Sequence, residues 1–452
     1  MKKVLFICCC ILIFLTGRSF AGDHPERESC KVCGMYIDLY HDTSSELVRK
    51  DGATLQTCGV ACMLRIVNDS GGPDAFSSIL VHAWDTKETL PADGAVFVIG
   101  SRIIPDMIPN IIAFSSREKA EEFISREGGK LLDFTQALLS ISPMGMTMPV
   151  RLKTAVPSPQ GFYSIGAGHM FMTMDKVKTG SDTTDPIDFA RRPGQMMGPK
   201  KMETSAEMLM CMYNLTDTLS ANLTFSYLDK KMDRYRQNGT VTETEKNSGF
   251  GDIGLSFRYN LWKDVYYSKF FSILAETTVP TGDFSPDYIF SPGLQIGTGA
   301  FTFTGGLVIS HRVSNFWFHY MTSCTVPYEN GDEYRFGTST RAGAAIHYTP
   351  TYNFMAGLEG DANWYAKSEY RGEKVRNTGG FRSYISPVID WRFLTGLGGN
   401  FSVRITGGIP LYEDMNHYTE GTSEKVQMGR GYFINAMLTF RGHLHVFGND
   451  YN

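Results

Sequence analysis

Residues 207–228 read EMLMCMYNLTDTLSANLTFSYL. Apolar and polar side chains alternate on both sides of Leu215-Thr216-Asp217, the pattern of two strands joined by a tight turn. Side chains two apart in an extended chain share a face. Leu209, Cys211 and Tyr213 therefore form a face suited to lipid, and Met208, Met210, Met212 and Asn214 form the other. The same texture runs from Gly161 to the end of the chain. GFYSIGAGHMFMTM (161–174), FGDIGLSFRYNLW (250–262), FTFTGGLVISHRV (301–313) and GYFINAMLTFRGHL (431–444) are examples, and segments of this kind add up to about twelve strands. Short turns (215–217, 262–264) alternate with long polar stretches (178–203, 235–247, 370–379, 413–429), as in an antiparallel transmembrane β-barrel. A soluble sandwich or propeller is the competing all-β reading. Strand length and the 13% aromatic content favour the barrel. The ending HVFGNDYN, with Tyr451 one residue short of the terminus, departs from the terminal aromatic common in such barrels.

The beginning of the chain points to export. Lys2 and Lys3 precede the apolar run VLFICCCILIFL, and Ala21 closes a small-x-small cleavage site, so residues 1–21 read as a signal peptide. Six cysteines remain after it: Cys30, Cys33, Cys58, Cys62, Cys211 and Cys324. No later segment is a continuous apolar run long enough for a membrane helix. The net charge of −4 gives no footprint for nucleic acid. No Ser/His/Asp or paired-carboxylate constellation suggests an enzyme.

Residues 22–142 have the mixed pattern of an α+β domain. SELVRKDGATLQTC is a hairpin turning at Asp51-Gly52. GVACMLRIVND is a helix, AVFVIGS a buried strand, and SSREKAEEFISREGG a helix capped by Ser115 or Ser116 and stopped by Gly128-Gly129. KLLDFTQAL is a last strand or the start of a helix. Residues 143–160, rich in Met and Pro, read as a linker to a barrel over 161–452.

This first domain holds Cys30-x2-Cys33 and Cys58-x3-Cys62, the second pair on one face of a helix start. Helix N-termini favour thiolate. Two structural disulfides, a redox pair and a metal site all fit the spacing. Met35, two residues after Cys33, favours metal, because thiolate and thioether are both soft donors that select Cu(I). His24, His41 and His82 are further possible ligands.

CKVCGMYI followed by RKDGATLQTC resembles the NosL family of periplasmic copper-binding accessory proteins of nitrous oxide reductase. GAVFVIGSRIIPDMIPNIIAFSSREKAEEFISREGGKLLDF resembles the family's second half. The resemblance covers about residues 28–137. It implies two ββαβ-like units and a Cu(I) site of Cys and Met, with Cys33 and Met35 on the Cys-Gly-Met motif and Met107 on the family's Pro-Met turn. Pro105-Asp106-Met107 departs from that turn by an inserted Asp. Cys30, Cys58 and Cys62 are then additional ligands or a disulfide, and zinc or another soft metal is the alternative to copper. NosL proteins are usually lipoproteins, whereas this cleavage site lacks a lipid-acceptor cysteine and the barrel is the expected anchor. Over about 248–452, SGFGDIGLSFRYNLW and AETTVPTGDF resemble the outer-membrane transporters grouped with the phenol meta-pathway MetA type, which implies only a barrel with an unspecified solute.

Twelve of the 22 methionines fall between 144 and 212. Met144/146/148, Met170/172/174 and Met208/210/212 alternate, so each trio shares a face. Methionine as flexible filler competes with a relay of weak Cu(I) sites along the barrel interior. The expected function is Cu(I) binding by a periplasmic domain coupled to an outer-membrane barrel in a Gram-negative cell, for copper delivery or transport. A periplasmic acceptor such as nitrous oxide reductase would be the partner. The alternatives are a general porin or organic-solute transporter whose first domain is a disulfide-stapled plug or interaction module, and a sensor or scaffold that moves nothing.

Overall fold

A computed structural model describes residues 27–242, 244–289 and 291–444; the expected signal peptide, His24 and Tyr451 lie outside them. The first domain consists of two ββαβ-like units, as the resemblance implies. In the first unit, β1 (Ser45–Arg49) and β2 (Thr54–Thr57) form the hairpin, followed by α1 (Val60–Asp69) and β3 (Phe76–His82). A short β4 (Thr89–Pro91) completes a sheet of order β2-β1-β3-β4. In the second unit, β5 (Val96–Ile99), β6 (Ile111–Phe114), α2 (Arg117–Glu127) and β7 (Lys130–Leu132) give the order β6-β5-β7. The caps are local chemistry. The Ser116 hydroxyl accepts from the Lys119 amide, and Gly128 ends α2 at φ +71°. KLLDFTQAL is both β7 and a helix α3 (Phe134–Ser140), which Asp133 and Gln136 start as a reciprocal capping box.

Twelve antiparallel strands then close into a barrel: β8 (Phe162–Thr179), β9 (Met197–Asn214), β10 (Leu219–Arg236), β11 (Ile253–Lys263), β12 (Lys269–Val279), β13 (Thr302–Val313), β14 (Phe316–Pro327), β15 (Ser339–Tyr348), β16 (Phe354–Tyr365), β17 (Gly380–Gly396), β18 (Gly399–Met415) and β19 (Gln427–His443). β8 pairs with β9 on one side and β19 on the other, so no edge is left. The exterior carries an apolar belt that includes Phe257, Ile273, Leu307, Ile309, Ile346, Leu358, Ile389, Ile405 and Ile434, all exposed. A belt of this kind is stable against lipid and costly against water.

Two expectations about the loops change. Backbone pairing continues into stretches that read as loop. Lys201 and Glu203 are in β9 and pair with Asp233 and Lys231 of β10, because strands keep their hydrogen bonds beyond the apolar belt while their side chains turn polar. Long connections also occur at 280–301 and 328–338.

Residues 143–160 connect the first domain to the barrel by a path through the barrel interior. The segment leaves α3 at the short-turn end of the barrel, rises into the lumen and returns to start β8 at the same end. Leu152, Ala155 and Val156 pack on the inward residues Phe270, Leu274, Val308, Trp317, Met321 and Ala345. At its apex the amides of Val150 and Arg151 donate to the Glu359 carboxylate, at 2.9 and 2.6 Å. The Arg151 guanidinium grips Asp361 with two bonds of 2.6 and 2.8 Å. On the descent Ala155 donates to Ser310 and accepts from Ser272, both at 2.8 Å. Arg258 donates to the Thr154 carbonyl at 3.0 Å.

Candidate metal centre and the cavity beneath it

Residues 30–36 form a tight knuckle. The Cys30 amide donates to the Met35 carbonyl and the Gly34 amide to the Cys30 carbonyl, each at 2.8 Å. Gly34 sits at φ +80°, which glycine adopts at no steric cost. Opposite the knuckle, Gly59 precedes α1. The Cys62 amide donates to the Gly59 carbonyl, so Cys58 and Cys62 present their sulfurs from one helical turn. The two devices bring all four thiols together. Every Sγ of Cys30, Cys33, Cys58 and Cys62 lies within 4.8 Å of the others, and all four residues are buried. Cys33 and Cys58 approach to 3.4 Å, and Cys58 and Cys62 to 3.8 Å. None is bonded in a disulfide. A tetrahedral thiolate site with metal–sulfur bonds of about 2.3 Å has sulfur–sulfur edges a little under 4 Å. The four thiols therefore fit a soft metal ion without rearranging the backbone.

The cluster is prepared to lose protons unequally. Burial opposes ionisation of Cys30, but the surrounding Cys33, Cys58 and Cys62 thiols outweigh it and hold Cys30 well below the ordinary thiol range. Hydrogen bonding to Cys30 pushes both Cys33 and Cys58 well above it. Cys30 is thus the first of these three thiols to ionise, and its neighbours resist, as expected when like charges compete in a buried site.

The other expected ligands divide. Met35 is 3% exposed and belongs to the same apolar cluster as the four cysteines; Met107 packs against that cluster from one side, partly buried. His41 and His82 stand apart, His41 beside Asp42 on the surface and His82 beside Thr89. Sequence reading missed Asp106. It is fully buried, and a Cβ on Gly59 would fall 1.6 Å from its Oδ2, so the carboxylate presses on the turn that starts α1. The inserted residue in the Pro-Met turn was the available signal.

The centre rests on the barrel. Asn400 at the start of β18 donates its side-chain amide to the Cys33 carbonyl at 3.1 Å. Tyr40 meets His443 at 2.6 Å. Beneath Cys33 and Met107, a cavity continues to Met144, Met146, Met148 and Met355. Its barrel wall holds Arg392, Arg404 and Arg441 against the single Asp390, a net positive lining.

The barrel methionines fall on the expected face. Ser310 and His319, which touch the linker, are directly opposite each other. Following the pairs Glu359–Ser386, Asp390–Arg404, Ser402–Thr439 and Thr439–Gly166 around the sheet puts the even positions of β8 inside. Met170, Met172 and Met174 are therefore inward, as are Met208, Met210 and Met212 of the neighbouring strand.

Comparison with known proteins follows the same division. Residues 23–139 match the NosL family model. The N-terminal unit is a NosL domain. Residues 209–403 match a family described as "Putative MetA-pathway of phenol degradation". Among solved structures, the copper chaperone NosL from Shewanella denitrificans is 26% identical, covering 26% of this chain and 93% of its own, with a TM-score of 0.23. An outer membrane channel from Pseudomonas putida F1 is 12% identical, covering 66% of this chain and all of its own, with a TM-score of 0.49. A FadL homologue from Pseudomonas aeruginosa is 9% identical over 63% of this chain and 91% of its own, with a TM-score of 0.33. No curated protein matches the chain. The pairing of a NosL domain with a barrel places a sulfur-rich centre at the barrel mouth, next to a lumen lined with thioethers.

Proposed function

We propose that this protein binds Cu(I) in its NosL domain and passes it between a Gram-negative outer-membrane barrel and a periplasmic acceptor, as a binding and transport protein rather than an enzyme. The observation that carries the reading is the set of four buried, unbonded thiols seated on the barrel mouth, with a methionine-lined cavity directly beneath. Short turns face the periplasm in barrels of this kind, which supports a periplasmic NosL domain. Thiolate and thioether suit Cu(I), and neighbouring sites of graded strength suit transfer. The four guanidiniums of the cavity, Arg65, Arg392, Arg404 and Arg441, repel a free cation, so the ion moves from sulfur to sulfur rather than through water. Nitrous oxide reductase is the acceptor that the NosL resemblance suggests.

The test is a Cu(I) titration of the full-length protein, reduced and in detergent, against a competing chelator. Tight one-to-one binding that falls at least tenfold in Cys33→Ser and in Met35→Ala supports the reading. Thiols that react only after reductant is added would return the domain to a disulfide-stapled module on a solute channel.

A second reading has its own support. Four cysteines in tetrahedral reach are also the donor set of structural zinc. Zinc that survives Cu(I) competition, with binding indifferent to Met35→Ala, selects it.

A further inference from the structure

Methionines gather a second time at the far end of the lumen. Met202 on β9 lies directly opposite Met174 on β8 and also directly opposite Met232 on β10. Residues so paired have Cβ atoms about 5 Å apart, within reach of each other's thioethers. Met202 is 3% exposed and Met232 8%, and Met174 and Met428 pack against them. Tyr288 and Leu294, from the connection 280–301, close over the group. Gly293 lies close against the group: a Cβ there would stand 3.0 Å from the Met202 sulfur.

We propose that Met174, Met202, Met232 and Met428 form a thioether site for a soft monovalent cation at the long-loop end of the barrel. It rests on the copper reading given above and deepens it by adding a station at the opposite end of the lumen from the cysteine centre. Methionine as simple filler explains one such side chain. It does not explain four converging from neighbouring strands of a lumen whose adjoining inward positions are Thr204 and Lys230. Neutral thioethers bind hard cations poorly and Cu(I) or Ag(I) well, and they bind weakly enough to release. Below the site, Met172, Met170, Met208, Met210 and Met212 continue on the same inward face toward the short-turn end.

The probe is Ag(I), a redox-inert soft monovalent ion, with full-length protein in detergent. Silver retained after gel filtration is counted for the wild type, for Met174→Leu/Met202→Leu/Met232→Leu, and for Cys33→Ser/Cys58→Ser. Leucine keeps the volume, and heat-modifiable gel mobility reports whether the barrel is folded. The expected result is one equivalent lost in the leucine variant and a different one lost in the serine variant. A folded leucine variant that keeps the wild-type stoichiometry overturns the proposal. Loss in the leucine variant with none in the serine variant sustains the thioether site and instead overturns the cysteine reading. Should the leucine variant not fold, X-ray absorption at the silver edge decides, using selenomethionine-labelled Cys33→Ser/Cys58→Ser protein. A silver–selenium shell supports the site, and its absence overturns it.

Discussion

Asn400, a barrel residue, donates its side-chain amide to the backbone carbonyl of Cys33 across 3.1 Å. A cysteine-bearing knuckle and a barrel strand 367 positions later in the chain are thereby held in one hydrogen bond. Gly34 fixes the same contact from the other side, since a Cβ there would fall 1.6 Å from the Gly399 carbonyl oxygen. Gly34→Ala combines that overlap with a left-handed backbone, a strain of at least about 1–3 kcal/mol. The expected outcome is an undocked NosL domain on an intact barrel, seen as rapid protease cleavage near residues 140–145 while heat-modifiable mobility is unchanged. Wild-type protease resistance would refute the docking.

Gly59 answers to a different neighbour. Its backbone is extended, so alanine is tolerated conformationally, but its Cβ would collide with Asp106. Gly59→Ala should displace the start of α1, with Cys58 and Cys62 on it, and weaken Cu(I) binding about tenfold or more. Adding Asp106→Ser should restore most of the affinity. Failure of that rescue would show that the two residues are not coupled.

The linker occupies the lumen through a few strong contacts. Removing Glu359 orphans two amides and removing Asp361 orphans a guanidinium, each costing about 1–3 kcal/mol. Glu359→Ala/Asp361→Ala should raise single-channel conductance in planar bilayers several-fold over a nearly closed wild type. Equal conductances would mean that these contacts do not close the pore.

Acid should act on the NosL domain through Asp85. Partial burial pulls its carboxyl upward, but hydrogen bonds from the Ser115 hydroxyl and amide outweigh this and hold it below the ordinary value. A lowered carboxyl stabilises the fold above the unfolded-state value near 4 and loses that contribution as pH falls through the folded value. Asp85→Asn should therefore cost about 1 kcal/mol at pH 7 and less as the pH falls, as read by hydrogen exchange in strand β6. A cost that does not shrink with falling pH would contradict the assignment.

Both halves of the fold were legible because each rests on local patterns. A period of two marks the barrel strands, and Asp51-Gly52, Ser116 and Gly128 punctuate the first domain. Each cysteine pair was legible because it lies within one turn or knuckle, and the structure brings the two pairs into one cluster. The plug was not. Residues 143–160 have a linker's composition, and what seats them is Ser310, Glu359 and Asp361, more than 150 positions away. Those residues look like ordinary lumen lining until the partner is known. Asp106 showed in the sequence only as an insertion, and its place against Gly59 did not, because Gly59 lies in the other ββαβ unit.

The lumen segment begins and ends at the same rim, one end joined to α3 and the other to β8. It is a bung tied to the bottle by both its ends. It cannot diffuse away when it leaves its seat, so its effective concentration at that seat stays in the millimolar range or above. Nor can it be pushed out through the far side. It can only be drawn back toward the rim where the NosL domain sits, and a partner that tugs on that domain pulls the same string. A segment tethered this way has one direction of travel, and it is the side on which the NosL domain is docked.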